Sequence, residues 1–333
     1  MTLDPMPTDP DSPGGAAEVD ESIKVVSLAG WFSGDPAARA AVAAAIDESL
    51  SDAGFVVIVD HGVDPDLTRS VRAELNSFFA LDEAAKSAYR VGELGDTGWV
   101  PYGLEANGYI FGEDTPPDMK ESLVFGMEDF PGHGEVRTNL WPSEQPGLRP
   151  AVMEFFEQME RLNLEMLRLL GAALGLTDPE MLVALSDRAP STFNANWYPP
   201  LARTGAVEEN QYRIGPHTDF GSITILDREP GVGCLQVQTA DDTWVDAPFV
   251  PGSFTINVGD LLSMWTGGRW RSSRHRVLPP DESAPDEALT SLVFFAQPND
   301  DTLVAPLVDG DEFEPVLVSE FMEAKINAIT VQV

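Results

Sequence analysis

Along the first half of the chain, hydrophobic positions recur mostly with a helical period. Residues 36–50 form an Ala-rich run of high helix propensity behind Asp35, which is placed to cap it, and Gly54 ends the pattern. A second helix is predicted over residues 65–80. Residues 150–174 carry Phe155, Met159, Leu162, Met166, Leu169, Leu170 and Ala173 at the spacing of one helical face, which predicts the longest helix and makes its Met and Phe stripe core packing. Two short apolar runs interrupt this regime: residues 23–28, and the β-branched Phe55–Val59, closed by a turn at Asp60, His61 and Gly62 and read as a buried strand.

The second half has a different rhythm. From Thr192 to about residue 303, short β-rich segments at 193–197, 222–226, 235–238, 253–258, 261–265 and 292–296 are separated by Pro, Gly and Asp turns, which predicts a sandwich, jelly roll or barrel. Residues 318–328 have a helical pattern. Residues 92–134 show no clean period and are rich in Pro, Gly and aromatic side chains, as in loops that cover active sites. Residues 1–21 carry almost no large apolar groups and cannot repay the entropy of ordering, so a disordered acidic tail is expected there. The fold class read from this pattern is mainly β with flanking helices. A single domain is expected over 22–333, made of a helical N-terminal cover (22–190), a β core (191–305) and a C-terminal helix (306–333).

Composition narrows the function. With 43% hydrophobic and 23% charged residues, the chain has enough apolar material for a sizeable core. Its 55 acidic against 20 basic residues give a formal net charge of -35, and no basic cluster exists beyond residues 269–276. Such a field repels phosphate backbones and anionic lipid, so neither nucleic acid nor membrane is an expected partner. No apolar run approaches the ~20 residues of a membrane span, and the N-terminus lacks the basic and apolar regions of a signal peptide. Cys234 is the only cysteine, which excludes an intrachain disulfide and thiolate-rich metal sites and fits a cytoplasmic chain. The expected partner is a small-molecule substrate, bound by a monomer.

Four histidines occur, at 61, 133, 217 and 275. In Gly215-Pro216-His217-Thr218-Asp219 the His and Asp are two apart, so on extended backbone both side chains leave one face and can reach one metal. His275 lies 56 residues after Asp219 in Ser273-Arg274-His275-Arg276-Val277, a distance that suits a strand returning to the same end of a barrel. It completes a set of two histidines and one carboxylate. On an octahedral iron such a set leaves three positions open for a cosubstrate and O2, whereas zinc prefers four ligands with one open position. No further carboxylate is placed as the general base of a zinc hydrolase. His-x-Asp alone is common, and a histidine in a β core is more often a satisfied structural residue. The surrounding motifs decide between those readings.

In order, the chain carries Gly54-Phe55-Val56-Val57-Ile58-Val59-Asp60-His61-Gly62, Lys120-Glu121-Ser122 with Phe125-Gly126, Asn139-Leu140-Trp141-Pro142, Asn196-Trp197-Tyr198-Pro199-Pro200, His217-Thr218-Asp219-Phe220-Gly221-Ser222, Gly233-Cys234-Leu235-Gln236-Val237, Asn257-Val258-Gly259-Asp260, His275-Arg276-Val277, and Phe294-Phe295 with Pro298-Asn299. Together these segments, spread over residues 25–299, resemble the isopenicillin N synthase-like branch of the Fe(II)- and 2-oxoglutarate-dependent oxygenases. The resemblance implies a double-stranded β-helix, or jelly roll, wrapped by N-terminal helices. It implies Fe(II) held by His217, Asp219 and His275, with 2-oxoglutarate as cofactor and O2 as cosubstrate. Tyr198 and Ser291 would offer hydroxyls to the 2-oxoglutarate carboxylates, and no catalytic residue beyond the metal ligands is implied. His61 becomes a strand-turn residue, and His133 lies outside every motif. Phe220, Trp265 and Phe295 are read as core, while recognition of an unknown substrate is expected from residues 102–125 and the C-terminal helix.

One position departs from the pattern. In the family an Arg-x-Ser motif follows the distal histidine, and its arginine pairs with the far carboxylate of 2-oxoglutarate; here the aligned segment is Leu289-Thr290-Ser291. A leucine leaves that charge unpaired, a loss of about 1.5–3 kcal/mol of binding. Three readings stand. Arg213, four residues before His217 and inward-facing on a regular strand, substitutes for the missing arginine. Alternatively, the protein is an Fe(II) oxidase of the same fold that does not use 2-oxoglutarate, or a non-catalytic ligand-binding jelly roll. The function expected from the whole is an Fe(II)/2-oxoglutarate-dependent dioxygenase that hydroxylates, desaturates or cyclises a small molecule.

Overall fold

The computed structural model describes residues 22–92, 97–112, 115–128 and 139–329; the tail expected over 1–21 and His133 lie outside them. The strands that frame the site are β1 (Val25–Ser27), β2 (Phe55–Val59), β3 (Gly98–Val100), β4 (Glu121–Gly126), β5 (Thr192–Tyr198), β6 (Ile214–His217), β7 (Ile223–Asp227), β8 (Leu235–Gln238), β9 (Trp244–Asp246), β10 (Phe254–Val258), β11 (His275–Val277) and β12 (Leu289–Phe295). Among the described residues, an eight-stranded sheet runs in the order β1-β2-β10-β7-β12-β5-β4-β3, and a four-stranded sheet in the order β6-β11-β8-β9.

The two-residue period of each strand decides what its faces meet. In β2, Val56 and Ile58 pack with Leu50, Val71 and Phe155 of the helices, while Phe55 and Val57 pack with Leu235 and Val237 of the smaller sheet. The same alternation sends Ile225, Ile256 and Phe294 into the helix-facing core. It leaves Thr224, Asn257 and Ser291 on the face toward the smaller sheet, where the polar chemistry gathers. Helices Pro36–Asp52, Pro65–Phe79 and Leu148–Ala173 cover the outer face. The first two start where the sequence dictates: the Asp35 and Asp64 side chains accept from the Ala37 and Asp66 amides, each followed by a proline in the first turn. Among the described residues, no helix is long and apolar enough to cross a membrane.

Two expectations are corrected here. Residues 261–265, predicted as a strand, belong to the helix Asp260–Trp265, where Leu261, Leu262 and Trp265 are buried. A five-residue segment with four apolar side chains fits either period, and the extended Gly259 before it supplies the helix start. The N-terminal cover is not purely helical either. β3 and β4 arise from the stretch without a clean period and extend the larger sheet beside β5. β4 hid from the pattern because it buries a charge: Glu121 pairs with Lys86 and accepts from Trp99 Nε1 at 2.7 Å.

The loop that carries Asp219 crosses the start of helix Asp260–Trp265 at close range. Asp260 N donates to Asp219 O and Gly259 N to Ser222 O, both at 2.8 Å. A Cβ added to Gly259 would stand 2.3 Å from Gly221 O. Gly259→Ala is therefore expected to destabilise the chain by about 1–3 kcal/mol. The change should be read as a lower urea midpoint at unchanged m-value; an unshifted midpoint would show that this crossing is loose.

Candidate metal centre

β6 and β11 pair so that His217 and His275 are direct partners, with ring centroids 4.1 Å apart. Asp219 follows two residues beyond His217. Its Oδ1 lies 3.6 Å from His217 Nε2 and 3.7 Å from His275 Nε2. All three side chains offer ligand atoms within 4.8 Å of one another. The three residues expected from the sequence are thus brought together at one end of the inter-sheet space.

Their orientation is fixed from behind. Nδ1 of His217 faces Gly215 O at 2.9 Å, and Nδ1 of His275 faces Ser273 O at 3.2 Å. A carbonyl can only accept, so each Nδ1 carries the proton and each neutral ring turns its Nε2 lone pair inward. Asp219 Oδ2 is taken by the Thr224 hydroxyl and by Asn257 Nδ2 at 2.7 Å, leaving Oδ1 for the centre. Phe55 meets the His275 ring edge-on at 5.2 Å and fills the space behind it. Three acceptor atoms facing one another in a buried space are repulsive unless a cation joins them.

The local electrostatics agree. Burial would raise the Asp219 carboxyl, but the imidazoles and the Asn257 amide outweigh it and hold it well below the usual carboxylate range. Burial, reinforced by His217, pushes His275 down to about 4, so it stays a neutral ligand at neutral pH. A proton is the weaker substitute for a metal: Asp219 overcomes the opposing pull of burial and raises His217. Two imidazoles and one carboxylate fit Fe(II).

Two cavities meet at this point. Both are lined by Asn196, Ile214, His217, Asp219 and Phe295. The smaller, of ≈ 90 Å³, runs between the sheets past Tyr198, Ser291 and Leu289. Tyr198 Oη and Ser291 Oγ are 3.1 Å apart, and Leu289 pairs across the sheet with Tyr198. Arg213 faces this cavity, although the strand after it is not regular: the register shifts between the His217 and Ile214 pairs, and Ile214 lines the cavity too. It is 1% exposed, with its guanidinium 5.3 Å from the Tyr198 ring centre and its Nη1 2.8 Å from Glu287 Oε1.

The larger cavity, of ≈ 210 Å³, is walled by Glu105 and Lys120 from the irregular segment and by Met322 and Ile326 from helix Val318–Ile329. These are the two regions expected to meet substrate. Phe220 and Phe295 line it as well, which corrects their reading as core; Trp265, 1% exposed, is core as expected. Phe220 follows the last loop ligand, and Phe295 lies on the inner alternation of β12. His61 bonds Gly252 O at 2.9 Å and lines neither cavity.

Sequence reasoning missed the supports. Asp118 accepts from Gly215 N at 2.9 Å and from Asn107 Nδ2 at 2.6 Å, and so holds the residue whose carbonyl orients His217. Asn257 stood inside a recognised motif, yet its role depends on a contact 38 residues away in sequence. Asn257→Leu combined with Thr224→Val is expected to weaken Fe(II) binding about 10–100-fold, measured by anaerobic competition with a chelator. Wild-type affinity in that variant would show that Asp219 needs no support.

Comparison with known proteins bears on the same residues. The family model of the 2OG-Fe(II) oxygenase superfamily matches residues 189–298, and that of the non-haem dioxygenase in morphine synthesis N-terminal region matches residues 23–144. The validamycin A dioxygenase of Streptomyces hygroscopicus subsp. limoneus is 38% identical over 291 residues, covering 86% of this chain and 80% of that one. The jasmonate-induced oxygenase 2 of Arabidopsis thaliana is 29% identical, covering 86% and 72%. Among solved structures, a full-length Neurospora crassa protein in complex with alpha-KG superposes with a TM-score of 0.81 at 26% identity, covering 92% of this chain and 96% of that one. With these matches spanning both the N-terminal cover and the jelly-roll core that brings His217, Asp219 and His275 together, the chain belongs to the Fe(II)- and 2-oxoglutarate-dependent oxygenases.

Proposed function

We propose that the chain oxidises a polar small molecule held in the larger cavity, with hydroxylation of a C–H bond as the default outcome. In this reading His217, Asp219 and His275 hold Fe(II), and 2-oxoglutarate occupies the smaller cavity. The observation that carries it is the convergence of three ligand atoms where two cavities adjoin, His217 and Asp219 lining both and His275 the smaller. Fe(II) and 2-oxoglutarate, when bound, supply O2 activation and the oxidising equivalents. A relative named for its action on validamycin A supports a small-molecule substrate.

The chain's own residues divide the remaining work. Burial, acting first, raises the Tyr198 phenol, which therefore stays protonated and can donate together with Ser291 to a carboxylate between the sheets. Arg213, already neutralised by Glu287, braces the face of the Tyr198 ring. Leu235 and Val293 give the smaller cavity an apolar wall that excludes water. In the larger cavity, Lys120 is buried in an ion pair with Glu105 and donates to Ser122 Oγ at 3.0 Å. That polar wall suits a hydrogen-bonding substrate better than a hydrocarbon. The lone Cys234, its thiol pushed up to about 11 by burial and by Asp246, takes no part in this chemistry.

Anaerobic titration of the Fe(II) protein with 2-oxoglutarate is expected to produce a visible charge-transfer band, and His217→Ala should remove it together with iron binding. Failure of the wild type to give the band with iron in place would overturn the cosubstrate reading. Met322→Trp, which fills the larger cavity only, is expected to lower kcat/KM for substrate at least tenfold while leaving the band intact. Loss of the band in that variant would contradict the division between the cavities.

A further inference from the structure

Leu289 leaves the far carboxylate of 2-oxoglutarate without the family's arginine, and Arg213 is neutralised before any ligand arrives. Its Nη1 pairs with Glu287 Oε1 at 2.8 Å and its Nη2 donates to Glu287 O at 3.3 Å. A second arginine lines the same cavity and has no such counter-ion. Arg228 follows β7, and its Nη2 donates only to main-chain oxygens, Ala247 O at 2.9 Å and Pro248 O. Its guanidinium lies over the Phe249 ring at 5.5 Å. Among the described residues, its buried Nε has no partner, no carboxylate pairs with it, and Nη1 makes no hydrogen bond.

The neighbouring acids are otherwise engaged. Asp246 accepts from Cys234 Sγ and Gln236 Nε2, and Glu229 accepts from Thr290 N at 2.8 Å and faces Arg72 Nε at 3.8 Å. A part-buried guanidinium with no directly paired carboxylate is costly, and burial, only partly offset by nearby Cys234 and Asp246, pulls Arg228 down to about 10. Such a group is stabilised by an anion delivered from outside.

Strand register shows which anion it can meet. β7 and β12 pair antiparallel with Thr224 opposite Phe295, Leu226 opposite Val293 and Asp227 opposite Leu292. The ladder ends at that pair, and Arg228 and Ser291 are the next residues along the two segments. Thr224, Leu226 and Arg228 all line the smaller cavity, as do Phe295, Val293, Ser291 and Leu289. Directly opposed side chains start about 5 Å apart and diagonal ones about 7–8 Å apart. Continuing the register by one residue would set Arg228 opposite Ser291 and diagonal to Leu289, and Arg228 lines one cavity with both of them and with Tyr198.

We propose that Arg228 takes the far carboxylate of 2-oxoglutarate, the arginine of this subsite having moved from β12 to the end of the adjacent strand β7. The assignment rests on the reading that the smaller cavity holds the cosubstrate. It makes Arg228 a binding residue rather than a surface charge.

The test compares 2-oxoglutarate with 2-oxobutanoate, which keeps the chelating end and lacks the far carboxylate, by anaerobic calorimetry on the Fe(II) protein. Arg228→Gln is expected to weaken 2-oxoglutarate binding about 10–100-fold while leaving 2-oxobutanoate and Fe(II) affinities unchanged. Leu289→Arg added to Arg228→Gln should restore most of the lost affinity. Because Arg228 also holds two main-chain carbonyls, unchanged 2-oxobutanoate binding serves as the check that the variant is folded. Equal weakening of both ligands, no weakening of either, or a selective loss in Arg213→Gln but not in Arg228→Gln would overturn the assignment. If the wild-type Fe(II) protein binds 2-oxobutanoate and not 2-oxoglutarate, the cosubstrate reading itself fails and takes this assignment with it.

Discussion

Three electron-rich atoms pointed at one another inside a protein are unstable on their own, and much of this fold is arranged to keep them there. Hydrogen bonds to Gly215 O and Ser273 O fix both imidazoles, and Thr224 with Asn257 occupies the outer oxygen of Asp219. The supports come from both sheets and from the loops between them. A cation turns this repulsion into cohesion, so metal binding and the local fold are one equilibrium.

The same two-residue alternation that builds the core also sorts the chemistry. On the larger sheet, one face gives Ile225, Ile256 and Phe294 to the helices, and the other gives Thr224, Asn257 and Ser291 to the space between the sheets. A shift of one residue in any of these strands would bury the polar set under the helices and turn the apolar set toward the metal. Register therefore specifies the active site as strongly as it specifies the core. It also places Leu289 of β12 and Arg228, the residue after β7, in the lining of one cavity.

Much of this was legible in the sequence, and the exceptions share a cause. β2 falls on the bounds its β-branched run gives, and the Met and Phe stripe of Leu148–Ala173 is core. His217 and Asp219 were readable because their spacing is local, and His275 because its surrounding residues form a motif. What could not be read depends on contacts between strands. Arg228 looks like an ordinary charge at a strand end until the fold brings it to the cavity that Ser291 and Leu289 line. Asp118 sits in a stretch without period, and only the fold brings it to Gly215. The helix at Asp260–Trp265 was missed because a short segment with four apolar residues in five satisfies either period, and the close approach of Gly259 to Gly221 is visible only in the fold.

The central claim is that His217, Asp219 and His275 bind one ferrous ion together. Diffraction at the iron absorption edge, from crystals grown anaerobically with Fe(II), tests it most directly. The account requires a single anomalous peak within coordination distance of Nε2 of both histidines and Oδ1 of Asp219. A peak elsewhere, or one touching only two of the three side chains, would contradict it.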